Sequence, residues 1–192
     1  DRIRYILQRL IGMIVVMFLV VTIVFIIVRV TPGDPAAVML GPDASAQDIA
    51  DLRTRLGLDQ SLAVQYFYYL GQMLKGDLGQ SIFLNMPVTA ALFDRAEPTF
   101  FLTLFSLLIA SVIALPVGIY AAYRRGSFID QAATTVAMLA ASIPSFWLGL
   151  ILMQFFAVRL NLFPVSGYGG PGSSFLDRMY HLTLPAFALG LV

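Results

Sequence analysis

The sequence has no cysteine, a single histidine and little charge. Without cysteine it has neither disulfides nor cysteine-ligated metal sites, and one histidine excludes a multi-histidine zinc site. Only 12% of its 192 residues are charged, about half of what a typical soluble domain carries. This deficit excludes an ordinary soluble enzyme and a disordered chain. The net charge of +1 gives no reason to expect a nucleic-acid partner. Hydrophobic residues make up 59% of the chain, which predicts a membrane protein.

Three long stretches contain no charged residue: Leu10 to Val28, Pro98 to Tyr123 and Gln131 to Val158. Each is long enough to cross a hydrocarbon core of roughly 30 Å, so all three are predicted to be transmembrane helices. A fourth stretch, Met179 to Val192, is too short to cross and is predicted to be the start of a further span. The fold class expected is therefore all-α, a polytopic transmembrane helix bundle. A signal peptide is the alternative for the first stretch, but its length and the lack of an Ala-x-Ala site favour an uncleaved helix.

Basic residues near the span ends predict the orientation in the membrane. Arg2, Arg4 and Arg9 precede the first span, and Arg124 and Arg125 lie between the second and third. By the positive-inside rule both places face the cytoplasm. We therefore expect a multi-pass membrane protein with a cytoplasmic N-terminus. Residues 31–97 then lie on the outer side.

Three regions follow from this map: a first transmembrane helix (1–30), a helical outer region (31–97) and a second transmembrane region (98–192). Within the outer region, Ser45 and Asp48 have the spacing of a capping box, and Gly57 stands where a helix ends. An amphipathic helix is predicted from about Leu62 to Lys75, and a third, short helix after Asn85. These helices either pack on the membrane surface and the bundle or offer a docking surface for an external partner.

Small residues recur at every fourth position in the second and third spans. Such rows let two helix backbones approach closely in lipid, where association gains nothing from the hydrophobic effect. We expect the two ridges to pack the second span against the third. The ridge positions are Ala110, Ala114, Gly118 and Ala122 in the second span, and Ala137, Ala141 and Gly149 in the third.

Polar residues and a proline interrupt the third span. Pro144 removes a backbone donor and frees a carbonyl, which produces either a hinge or a static kink. The spans contain no Asp, Glu, Lys, Arg or His, residues that proton-coupled pumps need at depth. If the protein moves a solute, the energy must come from elsewhere. The candidates for a neutral path or a hinge are Ser142, Pro144, Ser145, Trp147 and Gln154.

Catalytic constellations are absent from the sequence. Ser166 lies in a glycine-rich loop with no base beside it, and His181 is the one histidine, so an intramembrane hydrolase is disfavoured. Gly167, Gly169 and Gly170 do not form a nucleotide-binding motif, because they neither follow a strand nor precede a phosphate-binding helix. The protein is expected to be no enzyme and to hold no metal or cofactor itself.

An ordered set of short motifs resembles the permease subunits of bacterial ATP-binding-cassette importers for dipeptides, oligopeptides and nickel. Each motif is weak alone, but together they cover nearly the whole chain in order. The set comprises Pro32-Gly33-Asp34-Pro35, Leu56-Gly57-Leu58-Asp59, Gly76-Asp77-Leu78-Gly79-Gln80-Ser81, Pro116-Val117-Gly118, Arg125-Gly126-Ser127, Ser142-Ile143-Pro144-Ser145-Phe146-Trp147, Pro164-Val165-Ser166-Gly167 and His181-Leu182-Thr183-Leu184-Pro185-Ala186.

The resemblance implies a type-1 importer fold with about six transmembrane helices in a bacterial inner membrane, with residues 31–97 in the periplasm. It implies a second homologous permease subunit, two cytoplasmic ATPase subunits that bind ATP and Mg²⁺, and a periplasmic solute-binding protein. The solute would be a di- or oligopeptide, glutathione, an opine or a nickel chelate. The family's ATPase-coupling loop would lie beyond Val192, so it is expected to be absent from this chain. The alternative left open is a membrane scaffold or assembly protein that transports nothing.

Overall fold

A computed structural model describes all residues, 1–192, as helices and connecting loops without a β-strand. The chain divides into two compact units, Asp1–Asp94 and Arg95–Val192. Two helices, Arg2–Val30 and Val88–Tyr123, are long and apolar enough to cross a membrane, and a bent helix pair adds a third candidate span. The predicted all-α membrane fold is confirmed.

In the first unit, α1 (Arg2–Val30) contains the predicted first span and begins eight residues before it. It ends where Pro32 and Gly33 are expected to end it. A short helix α2 (Pro35–Leu40) follows, with the Asp34 side chain accepting a hydrogen bond from the Ala36 amide. The sequence prediction missed α2, although an N-cap aspartate followed by proline at the first helical position is a typical helix start.

The two amphipathic helices of this unit were predicted correctly. Helix α3 (Ala46–Leu56) has a full capping box between Ser45 and Asp48, and Gly57 ends it in the left-handed conformation at φ 74°. Helix α4 (Leu62–Leu74) ends at Lys75. The end of α1 packs on α4 through Phe25, whose ring centroid is 5.1 Å from that of Tyr66, and Thr22 Oγ1 lies 2.7 Å from the Tyr66 hydroxyl oxygen.

The third short helix predicted after Asn85 is wrong as a separate element. Val88 begins a single helix α5 (Val88–Tyr123) of 36 residues that contains Pro98 and Pro116. Because neither proline interrupts it, α5 runs through Asp94 and Glu97 into the predicted second span. At 1.5 Å per residue α5 is about 54 Å long, well beyond the thickness of a hydrocarbon core.

The predicted third span, Gln131 to Val158, is bent sharply at Pro144, where the sequence predicts a hinge or a static kink. The segment comprises α6 (Phe128–Ser142), α7 (Ser145–Leu152) and a π-helix (Met153–Arg159). The axis turns by 94° at the break between α6 and α7. Helix α8 (Phe175–Leu191) closes the unit and starts four residues before the predicted fourth stretch, because Ser174 caps it by accepting a hydrogen bond from the Asp177 amide.

Candidate functional site: the broken third span

The break in the third span is built by Ile143 and Pro144. Both have extended backbone conformations, with ψ of 127° and 136°. Proline disfavours the helical region for the residue before it, and Ile143 is β-branched and already restricted in χ1. The clash between the proline ring and Ile143 therefore favours an extended residue at this point, where α6 ends.

The break exposes backbone groups that a continuous helix would satisfy. Helix α7 begins without a side-chain cap, since Pro144 stands at its N-cap, so its first amides lack intrahelical partners. Ser142 Oγ donates to the Met138 carbonyl at 2.9 Å and stays within α6. A free helix start and a free helix end thus meet inside an otherwise apolar segment. Within a bilayer such irregular backbone is tolerated only inside protein or beside water.

The predicted path and hinge residues all belong to this broken segment. Ser142 and Pro144 are exposed at the break, and Ser145 is half-buried at the first turn of α7. Trp147 is 49% exposed on α7. Gln154 is exposed in the π-helix. Helices with a five-residue hydrogen-bond spacing are rare and are found frequently at functional sites. The five residues are spread over α6, the break, α7 and the π-helix, and their role in a path stays a prediction.

Helix α8 lies between α5 and α7. Its Leu182, Ala186 and Gly190 share one face at four-residue spacing, whereas Leu184 and Ala188 lie on the opposite face. A Cβ placed on Gly190 would come within 2.9 Å of the Ser106 carbonyl oxygen of α5. A Cβ placed on Gly149 of α7 would lie 3.6 Å from the Ala188 Cβ. Both faces of α8 are therefore closely packed through small residues.

The two predicted small-residue ridges do not pack against each other in this chain. The ridge of the third span is interrupted by the 94° turn, which places Gly149 on α7 against α8 instead of against α5. A Cβ placed on Gly118 would meet no atom within 4 Å, and Ala110 is only half-buried. The remaining ridge residues are exposed: Ala114, Ala122, Ala137 and Ala141.

Sequence reasoning missed the packing of α8, although a signal for it was present. Ala186 and Gly190 repeat the four-residue spacing of small residues that marks the ridges of the two earlier spans. The prediction that this stretch merely starts a span does not take its ridge into account. Small residues on all three helices, and not on two, form the close contacts of the second unit.

A polar cluster ties the loop before α8 to α5 and α8. Arg178 Nη1 on α8 lies 2.5 Å from Glu97 Oε1 on α5. The Arg178 guanidinium carbon is 5.5 Å from the centre of the Tyr168 ring. Burial raises the pKa of the Tyr168 phenol, and the nearby Glu97 carboxylate raises it further. The hydroxyl of Tyr168 is buried without a hydrogen-bond partner, so the loop is held by the ring contact, while the ion pair joins α8 to α5.

Ser166 is exposed in the loop before α8 and has no hydrogen bond to His181. His181 Nδ1 lies 2.9 Å from the Asp177 carbonyl oxygen within its own helix. No three acidic or histidine side chains gather in a metal-binding arrangement. The polar groups of the broken span are neutral hydroxyl, amide and indole groups, which can line a path or form hydrogen bonds between helices.

Two family models match the sequence, and together they cover most of both units. The N-terminal model of the binding-protein-dependent transport system membrane components matches residues 2–104. The model of the binding-protein-dependent transport system inner membrane component matches residues 114–192, which include the broken span.

Curated relatives match nearly the whole chain. The probable peptide ABC transporter permease protein y4tP of Sinorhizobium fredii is 37% identical over 97% of the chain and 60% of its own length. The glutathione transport system permease protein GsiC is 39% identical in Salmonella choleraesuis and 37% in Escherichia coli K12, over 97% of the chain and 58% of its own length. The chain therefore spans 58–60% of the length of these relatives. It belongs to the family of binding-protein-dependent transport system inner membrane components, which are helical, multi-pass membrane proteins.

Proposed function

We propose that the chain is part of a permease subunit of an ATP-driven importer and forms half of a translocation path. The observation that carries the proposal is the break at Ile143 and Pro144. Broken helices expose backbone dipoles at membrane depth, and transporters place their solute sites at such helices. In this proposal Ser142, Ser145, Trp147 and Gln154 line the path, and Pro144 is its hinge.

The proposed driving force is ATP hydrolysed by other subunits. The predicted spans contain no ionisable side chain, so ion coupling through this chain has no titratable group to use. The proposed partners are a second homologous permease, two cytoplasmic ATPases that hold ATP and Mg²⁺, and a periplasmic binding protein that delivers solute. The subunit itself is then no enzyme. Its N-terminus is cytoplasmic, and residues 31–97 face the binding protein.

The proposed solutes are di- and oligopeptides or related small molecules, including glutathione and nickel chelates. Relatives named for peptide and for glutathione transport are similarly close to this chain, at 37% and 39% identity. A path of neutral hydroxyl, amide and indole groups suits solutes that carry both charges and peptide groups. Discrimination among them would then depend on the binding protein.

The test is reconstitution of the full-length protein with its partner subunits and the binding protein in proteoliposomes. We expect ATP-dependent uptake of a labelled dipeptide, glutathione or nickel chelate that is lost when this subunit is omitted. The matched control is the same complex with ATPase subunits that bind but do not hydrolyse ATP. Uptake that continues without this subunit would contradict the proposal. A full-length chain that never co-purifies with ATPase subunits would favour the scaffold alternative.

A further inference from the structure

A cleft of about 650 Å³ opens within the first unit beside the last turns of α1. This volume lies in the range of about 300–1,000 Å³ that is typical of ligand pockets. Val24, Phe25 and Val28 of α1 contribute an apolar wall. Val28 is the last residue of the uncharged run that starts at Leu10, so this wall continues the surface of a membrane helix. The cleft therefore lies at the membrane boundary, next to lipid chains.

A cation without an acidic partner stands at the polar end of this wall. Arg29 Nε donates to Gln65 Oε1 at 2.8 Å, and the guanidinium carbon lies 3.8 Å from the centre of the Phe25 ring. None of the ion pairs of the chain involves Arg29. Its Nη1 reaches only the Phe25 carbonyl, at 3.5 Å. A half-buried guanidinium without an anion is costly, so the cleft is electrostatically incomplete.

Gln65 fixes Arg29 in this position. Gln65 is buried, and its Nε2 donates to the Gln60 carbonyl at 2.8 Å. Both ends of the amide are thus engaged, and the acceptor oxygen is held toward Arg29. The guanidinium is therefore pre-organised rather than free to move into water.

The other charged groups of the cleft leave one positive charge in excess. Arg55 and Asp77 also line it. Asp77 Oδ1 accepts a hydrogen bond from the Gly79 amide at 2.9 Å and stabilises its own loop. Arg55, like Arg29, has no carboxylate partner. The charge of the lining complements an anion.

We propose that this cleft binds one anionic phospholipid, with its phosphate on Arg29 and an acyl chain along Val24, Phe25 and Val28. The planar guanidinium matches the geometry of phosphate oxygens, and basic pockets beside membrane helices recognise anionic headgroups. A free phosphate ion would leave the apolar wall exposed to water, whereas the acyl chain of a lipid would cover it. We therefore propose a lipid and not a phosphate ion. The proposal does not depend on the proposed transport function.

The test is native mass spectrometry of the delipidated full-length protein in its complex, titrated with dioleoylphosphatidylglycerol or dioleoylphosphatidylcholine. The wild type is expected to bind phosphatidylglycerol about tenfold more tightly than phosphatidylcholine. Arg29→Gln is expected to lose that preference, because it removes the charge. Arg9→Gln is the matched control: Arg9 also lies on α1 beside an aromatic ring, Tyr5, at 5.3 Å, but not in the cleft. It is expected to leave the preference unchanged.

Several results would overturn the proposal. One is that a folded Arg29→Gln binds phosphatidylglycerol as tightly as the wild type does. Another is that the wild type binds the two lipids equally. A third is that millimolar inorganic phosphate displaces the lipid. If no lipid binds, and only the binding protein protects the cleft residues from chemical labelling, the cleft is a protein docking site instead. If Arg29→Gln does not fold, Arg55→Gln replaces it. That variant is expected to weaken phosphatidylglycerol binding about threefold, and unchanged binding would also overturn the proposal.

Discussion

Two glycines that look alike in the sequence have different surroundings. Gly118 and Gly190 both lie in apolar helices, and each follows an alanine by four residues. A Cβ on Gly190 would meet the Ser106 carbonyl oxygen at 2.9 Å and Ile109 Cγ2 at 3.0 Å, whereas a Cβ on Gly118 would meet nothing within 4 Å. The sequence pattern therefore identifies residues suited to close packing, but it does not say which of them have a neighbour.

Gly190→Ala is expected to destabilise the protein, because a backbone carbonyl cannot move aside as a flexible side chain would. Overpacking of this kind costs about 1–3 kcal/mol. Gly118→Ala is the matched control, and in an open helical position it is expected to be neutral or stabilising by about 0.5–1 kcal/mol. The measurement is the thermal unfolding midpoint of the full-length protein in detergent. Equal midpoints for the two variants would contradict the close contact between α8 and α5.

Helix α3 was predicted well because it has a local signal at both ends. A capping box formed by Ser45 and Asp48 marks its start, and Gly57 marks its end. The structure contains both signals. The bounds of α5 and of the third span depend instead on whether a proline interrupts a helix. Pro98, Pro116 and Pro185 lie inside helices, and only Pro144 stands at a break. Proline alone therefore does not determine where these helices end.

The residue before each proline accounts for the difference. Glu97, Leu115 and Leu184 precede the three prolines inside helices, and they are unbranched at Cβ, whereas Ile143 precedes Pro144. A β-branched residue in the helical region would crowd the proline ring most severely. Ser142 and Ser145 beside the break add side chains that bond to nearby backbone and favour ends over interiors.

Pro144→Ala is expected to straighten the third span, and Ile143→Leu to straighten it in part. Spin labels at Gln131 and Phe155 report the bend. A straight helix would separate their backbones by about 36 Å, and a right-angle turn at residue 143 by about 25 Å. Distances from electron paramagnetic resonance on the full-length protein should be near the shorter value in the wild type and shift toward the longer one in Pro144→Ala.

Pro116→Ala is the control for removing a membrane proline, since it lies within α5 and should leave this distance unchanged. The same distance in the wild type and in both third-span variants would show that the bend does not depend on the Ile143–Pro144 pair. Tertiary packing of α7 on α8 would then be its cause.

For the molecule as a whole, composition and charge predicted the class of protein, and an ordered set of motifs predicted the family. The packing of the helices was harder to predict from the sequence, because it depends on which small-residue faces contact each other. That choice is made by the 94° turn in the third span, which the position of one proline does not specify. As a result, α5 and α6 each have an exposed face whose ridge residues contact no other helix of this chain.

The exposed ridges are expected to pack in the assembled transporter. In lipid, small residues at four-residue spacing favour close helix contacts, and Gly118 together with Ala137 and Ala141 offers such surfaces. Gly118→Leu should therefore reduce co-purification of the full-length subunit with its partners severalfold, while the unfolding midpoint of the subunit alone stays near that of the wild type. Ile119→Leu, at a neighbouring position that is 68% exposed, is the control and should assemble normally. If Gly118→Leu assembles as well as Ile119→Leu does, this ridge faces lipid, and small residues there reflect only their frequency in membrane helices.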